Sequence, residues 1–328
     1  MTSLMMLLRK GWILDAVLWL VLIFCVLPAQ AESGSVANTS LDDIPASLLL
    51  YVSDYVSFVG QDSQGNVTFA IDNSRGRDGE AYQAQHFLVL HDEKTGWVRL
   101  DGNSRYENAG KELKTIPDSP SFHFQGSPKT GMIIVGESNR LTLTIDPIPL
   151  RTSRQDHGAV MWMGSAPAAL TWRDRVFSGR VVYEHLLMPD FNRLTRTYWD
   201  LWSGYQGFYL KVGTDGDVYV HWQQSERLVP LMGVVDGWTA LSGVTGSMKD
   251  LNIEVVDHGL ARGFFRWPTA WRVTWTGPQG AAVLTLRQVS RTGIWSWAIG
   301  GFSMVVVEGE LEYGGKKLPV YGLAELIV

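Results

Sequence analysis

Beyond residue 45 the chain contains no stretch with a sustained 3.6-residue apolar stripe, so amphipathic helices cannot build its core. What recurs instead is a short apolar or alternating run, then Gly, Asp, Asn or Pro, then another run. Asn66 to Ile71 follows a Gln64-Gly65 turn. Gln85 to Leu90 and Trp97 to Leu100 flank the hairpin-length segment His91 to Gly96. Met132 to Val135 and Leu141 to Ile145 flank a Gly-Glu-Ser-Asn turn, and the second run alternates Leu or Ile with Thr. Phe208 to Val212 and Val218 to Trp222, joined through Thr214-Asp215-Gly216-Asp217, form the clearest hairpin, because an Asp-Gly pair suits a tight turn with positive φ. Leu251 to Val256, Ala270 to Trp275 and Ala281 to Val289 continue the series. Met304 to Leu311 and Leu318 to Val328, around Tyr313-Gly314-Gly315, close it.

The expected fold is all-β and antiparallel. Roughly eighteen to twenty runs exceed the ~8 strands of one small barrel and fit two barrels in tandem. The expected boundary lies near Val176, because Pro167 to Arg175 has turn-like composition. That gives a first barrel over residues 46–175 and a second over 176–328, after a polar, small-residue leader at 32–45. A length of 328 residues and 45% hydrophobic content allow two such cores and exclude disorder. A net charge of -5 without a basic stripe gives no footing for nucleic acid.

Residues 1–31 read as a secretory signal. Arg9 and Lys10 precede the apolar run Ala16 to Leu27, Pro28 breaks it, and Ala29-Gln30-Ala31 places small residues at a cleavage site after Ala31. The run is short for a membrane span of ~20 residues, so membrane association is expected only through the signal before cleavage. An uncleaved N-terminal anchor is the alternative. Cys25, the only cysteine, lies inside this segment without a lipobox, so the mature chain has no thiol. Export without disulfides fits a periplasmic or secreted bacterial protein.

Two constellations carry candidate chemistry. Most of the 14 tryptophans fall in the second half of the chain. They either fill the barrels or line a cavity for a large apolar ligand. The second is Tyr183-Glu184-His185, with Tyr198-Trp199-Asp200-Leu201-Trp202 downstream. On a strand, Tyr183 and His185 share a face and Glu184 takes the other. An acid in an aromatic pocket has its pKa raised and can protonate an alkene or carbonyl. The same residues also read as a polar strand position beside a core-edge histidine. Trp199, Asp200, Trp202, Tyr209, His221 and Trp222 are the candidate ligand-lining side chains. Asp156-His157 and Asp257-His258 read as surface groups, and the alternating Glu308, Glu310 and Glu312 as an outward polar face. No H-x-H or H-E-x-x-H spacing, G-x-S-x-G elbow, P-loop or dinucleotide fingerprint is present, so neither a metal nor a cofactor is expected.

Gly179-Arg180-Val181-Val182-Tyr183-Glu184-His185, then Trp199-Asp200-Leu201-Trp202, then Gly207-Phe208-Tyr209-Leu210-Lys211-Val212 with Asp215-Gly216, resemble the AttH-like and hydroxyneurosporene synthase (carotenoid 1,2-hydratase) group. Val307-Glu308-Gly309-Glu310 and Tyr321-Gly322-Leu323-Ala324-Glu325 are similar to its closing strands. The chain has valine where the group carries a Trp before the acidic pair, and Leu186-Leu187 where it carries an aromatic after it. The resemblance implies two lipocalin-like (calycin) β-barrels and a large apolar ligand such as an isoprenoid or a polyketide-like molecule. By position it gives the acidic-basic pair to Glu184 and His185.

Three functions follow as expectations. The first is an exported protein that binds an apolar small molecule or lipid. The second is a cofactor-free hydratase, cyclase or isomerase with Glu184 as proton donor and His185 or Tyr183 orienting it. The third is an envelope assembly protein without a small ligand. The sequence leaves the oligomeric state open.

Overall fold

A computed structural model of the chain describes residues 49–78, 81–106, 122–136, 140–156, 159–189, 205–214, 216–224, 233–261, 265–293, 295–297 and 300–327. The signal and leader segments, with Trp199, Asp200 and Trp202, lie outside them. The described residues form twenty antiparallel strands and no helix. The strands fall into two ten-stranded sheets with the same order. The first runs β4 (Gly96–Tyr106), β3 (Ala81–Asp92), β2 (Gly65–Asp78), β1 (Leu49–Asp62), β10 (Arg175–Pro189), β9 (Ala159–Trp172), β7 (Leu141–Ile145), β6 (Gly131–Gly136) and β5 (Phe122–Ser127), with β8 (Leu150–Asp156) on β9; the second runs β14 (Val244–Ser247), β13 (Gly233–Leu241), β12 (Gly216–Gln224), β11 (Tyr205–Val212), β20 (Lys316–Ile327), β19 (Gly300–Tyr313), β17 (Gly280–Arg291), β16 (Phe265–Gly277) and β15 (Lys249–Ala261), with β18 (Trp295–Trp297) on β19.

The first and last strands of each block pair side by side. β1 (Leu49–Asp62) pairs β10 (Arg175–Pro189), and β11 (Tyr205–Val212) pairs β20 (Lys316–Ile327). This pairing makes each block self-contained and moves the expected seam. β10 lies between β1 and β9 (Ala159–Trp172), so the chain leaves the first sheet after Pro189 rather than near Val176. The turn-like Pro167–Arg175 segment is strand and a tight hairpin. Pro167 falls between the stretches of β9 paired to β7 (Leu141–Ile145) and to β8 (Leu150–Asp156), where its missing N–H interrupts neither ladder. Its carbonyl accepts the Asp146 N–H at 3.1 Å.

Each sheet curls around its own apolar core. In the first barrel Phe58, Phe69, Phe122, Trp172 and Phe177 are almost fully buried together. Phe122 on β5 (Phe122–Ser127) meets His86 on β3 (Ala81–Asp92) with ring centres 5.6 Å apart, so strands far apart in the ladder close on each other. One end is tied by Arg175, which bonds Asp62 at 2.7 and 2.8 Å and Asp92 at 2.8 Å from the β9–β10 turn. These bonds, ahead of a smaller opposing effect of burial, lower the Asp62 pKa to about 2.

The second core is filled by tryptophan. Trp267, Trp271 and Trp275 occupy every fourth position of β16 (Phe265–Gly277), where alternation sends all three inward, and each is buried. Trp271 packs edge-on against Phe208 at 5.4 Å and donates to Gln206 Oε1 at 2.7 Å. The closing hairpin turns at Gly314 and Gly315 with φ of 57° and 75°, a conformation glycine adopts without strain. Glu310 and Glu312 face solvent beside Lys317, as alternation requires.

The two barrels pack through the outer faces of their central strands. Tyr55, Ala70, Val89, Met163 and Val182 meet Tyr209, Tyr219, Trp238, Met304 and Leu323. Arg180 pairs with Asp217 across this interface, and Trp97 Nε1 donates to Ser290 Oγ at 2.8 Å. Asp217, expected in a turn, lies on β12 (Gly216–Gln224) and is buried there.

Candidate functional site

β1 and β10 form a wall with two faces, and polar side chains occupy both faces near one end. Alternation along Tyr183-Glu184-His185 sends Tyr183 and His185 into the first barrel and Glu184 into the interface between barrels. The expected cluster is therefore divided between two environments.

Inside the barrel the register sets His86, Asn73, Asp54, His185 and Trp162 in one row across β3, β2, β1, β10 and β9. The row lies eight residues up β1 from Asp62, or about 26 Å from the Arg175 end. Asp54 is the hub. Its Oδ1 is 2.6 Å from His185 Nδ1 and accepts the Tyr183 hydroxyl, and its Oδ2 accepts from Arg75. Burial alone would raise its pKa. The nearby His185 and Arg75, with the hydrogen bonds from His185 and Tyr183, outweigh burial and hold the carboxyl below its usual range. Burial first, then Asp54, pushes the Tyr183 hydroxyl well above its ordinary value. Arg75 also donates to Asn73 Oδ1 at 2.7 Å, and Asn73 Nδ2 lies 2.7 Å from His86 Nδ1. His185 lies tilted against Trp162, with ring centres 5.7 Å apart.

Outside the barrel, Glu184 is buried and accepts the Tyr209 hydroxyl at 3.1 Å. Tyr209 belongs to an aromatic file that runs from Tyr55 (5.2 Å) to Tyr219 (5.5 Å) and on to Trp238, stacked at 4.4 Å. Glu325, on β20, flanks Gly207 in register and is partly buried. Burial, then the charges of Glu184 and Asp72, raise the Glu325 pKa well above its ordinary value. Asp72 is raised chiefly by burial, against hydrogen bonds from Ser53 at 2.5 Å and Ser74 at 2.6 Å. Tyr51, beside them, is raised by burial and by Asp72. His221 flanks Gly207 on its other side, with Nδ1 3.2 Å from the Tyr219 hydroxyl.

Tyr209 and His221 thus belong to the inter-barrel face, together with Glu184, and not to the interior of the second barrel. The backbone of Trp222 lies on β12 opposite Gln206. Glu325, Asp72, Asp54, Arg75, Asn73 and His86 were not among the sequence candidates. One signal does point to Asp72, Asn73 and Arg75: Asp72-Asn73-Ser74-Arg75 continues a strand with polar residues on both faces, where a half-buried strand alternates. A groove of about 390 Å³ opens at the other end of the interface, lined in part by Gln61, Lys211, Arg287 and Tyr321. It contains none of these residues, and Lys211 there is held by Gln61 and by the Gly213 carbonyl.

Like charges close together in a partly dry site raise one another's pKa. Glu325 is raised in this way, and Glu184 beside it accepts from Tyr209. A carboxyl with a raised pKa beside an aromatic file is a candidate proton donor.

No family model matches the chain, and no curated protein matches it in sequence. Solved structures do. A putative AttH from Nitrosomonas europaea aligns with a TM-score of 0.57 at 12% identity, over 92% of this chain and 98% of that one. CghA in complex with Sch210972 gives 0.59 at 11% identity, over 85% and 88%. Kievitone hydratase from Nectria haematococca gives 0.52 at 10% identity, over 84% and 88%. The chain has the tandem lipocalin-like fold of these AttH-like structures, the fold its own motifs resemble.

Proposed function

We propose that the chain is a cofactor-free acid catalyst, a hydratase, cyclase or isomerase, acting on an apolar molecule at the interface of its two barrels. Glu325 is the proton donor and Glu184 the charge partner that keeps it protonated. The observation that carries the reading is the raised Glu325 carboxyl facing Glu184 and Asp72 beside the Tyr55–Tyr209–Tyr219 file. The fold shared with kievitone hydratase supports it. Compared with the sequence expectation, the proposed donor moves from Glu184 to Glu325, the carboxyl whose pKa is raised by burial and by the charges of Glu184 and Asp72. A carrier with an open second barrel gains no support from Trp267, Trp271 and Trp275, which pack that core. Export to the periplasm or beyond, with cleavage after Ala31, belongs to the same proposal.

The test is incubation in D2O with a panel of isoprenoid alkenes and prenylated phenols, read by mass spectrometry. Hydration adds one D2O, whereas cyclisation or isomerisation adds deuterium without added oxygen. Glu325→Gln should abolish product and Glu184→Gln should reduce it by at least ~100-fold. Undiminished product in Glu325→Gln would remove the acid from the mechanism. Ligand binding without turnover anywhere in the panel would return the chain to the carrier reading.

A further inference from the structure

The groove at the far end of the interface has a polar lining that the inter-barrel acid does not use. One row across four strands of the second barrel supplies its charges. The register sets Lys211 beside Tyr321, Tyr321 beside Glu308 and Glu308 beside Arg287, on β11, β20, β19 and β17. All four line the groove, and Gln61 and Asn66 bring the first barrel into the lining. The row spans three strand spacings, or about 14 Å. It lies four residues along β11 from Gly207, about 13 Å from the row that carries Glu325. A volume of about 390 Å³ sits at the low end of the ~300–1,000 Å³ of ligand pockets and suits a small molecule.

The chemistry of this lining favours an anion. Its described residues carry two cations, Lys211 and Arg287, and one carboxylate, Glu308, on a chain whose net charge is -5. Lys211 is buried, and its ammonium donates to Gln61 Oε1 at 3.1 Å and to the Gly213 carbonyl at 2.9 Å. Both are neutral oxygens, so these bonds fix where the charge sits without cancelling it. They also fix the Gln61 amide: its oxygen faces the ammonium, which leaves its NH2 as a donor on the far side of that bond. Glu93, bonded to Asn66, accepts from both its backbone N–H and its Nδ2 at 2.9 Å. Arg287 pairs with Glu308, but their side chains are 69% and 37% exposed. Such a pair is held weakly in water, and a guanidinium can take an incoming oxyanion bidentately instead.

We infer that this groove binds a small oxyanion, a carboxylate- or phosphate-bearing molecule, at the seam of the two barrels. Arg287 takes its charged group in place of Glu308, and Lys211 holds the opposite end of the row. The site draws Gln61 from one barrel and Lys211 from the other, so its occupant fastens the barrels together at this end.

The test is isothermal titration of the full chain at low ionic strength with succinate, citrate and inorganic phosphate, and with choline as the cationic control. At least one anion should bind, and choline should not. Binding of succinate or citrate alone marks a carboxylate ligand, and of phosphate alone a phosphorylated one. Arg287→Gln and Lys211→Met should each weaken the anion by about tenfold or more. Glu308→Gln removes the competing carboxylate and should strengthen it several-fold. Arg287 and Glu308 are exposed, so these two variants carry the test if Lys211→Met does not fold. Absence of binding by every anion at about 10 mM overturns the inference. So does an anion that Glu308→Gln weakens, or one bound equally by the wild type and Arg287→Gln, which would place it elsewhere on the chain.

Discussion

The raised carboxyl of Glu325 makes a stability prediction that needs no substrate. A group whose pKa is higher folded than unfolded holds its proton more tightly in the folded state. Its contribution is complete below the unfolded value, near 4.3 for a glutamate, and is lost as pH rises through the folded value. Over that window the folded chain binds up to one proton more than the unfolded chain, which bounds the slope at about 1.4 kcal/mol per pH unit. Glu325 is only partly buried, and solvent screening reduces this to about 1 kcal/mol per unit or less. His86 and His91 act with the opposite sign: burial lowers both, so their contributions are lost as pH falls. Glu325→Gln leaves those terms in place, so the difference between the two proteins isolates the carboxyl pair. Urea unfolding at half-unit steps from about pH 5 to pH 8 should show the variant gaining on the wild type as pH rises, at about 1 kcal/mol per unit or less. Parallel pH profiles would refute the reasoning, because they would mean that Glu325 titrates alike folded and unfolded.

Other perturbations test the remaining parts. Asp54→Asn and Arg75→Met each strand one member of a buried ion pair and should cost about 3–5 kcal/mol, while the double variant should cost clearly less than the sum in a denaturation cycle. Additivity within ~0.5 kcal/mol would mean the pair is not mutually dependent. Gly179→Ala would place a Cβ 2.2 Å from the Val59 carbonyl, where β1 and β10 approach closely, and should lower stability by about 1–3 kcal/mol. An unchanged melting temperature would contradict that approach. Trp271→Phe keeps the ring packing but strands buried Gln206 Oε1, and should cost about 1–3 kcal/mol by chemical denaturation.

The fold was legible because it rests on local chemistry. Alternation in Leu141 to Ile145 and the Gly314-Gly315 turn each specify their element without distant help, and the structure contains both. The seam was not legible, because it depends on β10 pairing with β1, more than a hundred residues away in sequence. Pro167 misled for a specific reason: proline signals a break, yet here it sits at the gap between two partners of one long strand. The opposite facing of Glu184 and His185 followed from period two alone. What Glu184 faces did not, because Tyr209 and Glu325 come from strands of the other barrel.

The placement of both clusters on the same stretch of wall has a physical consequence. Burying a polar group is unfavourable unless it is paired, so a strand crossing a core normally spends one face on apolar side chains. Around Ser53-Asp54, Asp72 to Arg75 and Tyr183 to His185, three adjacent strands spend both faces on polar groups, nearly all held by named partners. The second barrel has the same strand order, and its counterpart pair β11 and β20 places Phe208, Leu210, Ala324 and Leu326 in the core. Topology therefore does not require the polar wall, since the core of its twin is built mainly from apolar side chains, with Gln206 bonded to Trp271. A ten-stranded block that could be filled as its twin is filled, but that carries Asp54, Arg75 and His185 instead, retains a cost that folding alone does not explain. The acid chemistry proposed for the wall's outer face gives that cost a purpose, with residues that alternate along the same strands as the buried Asp54–Arg75 pair.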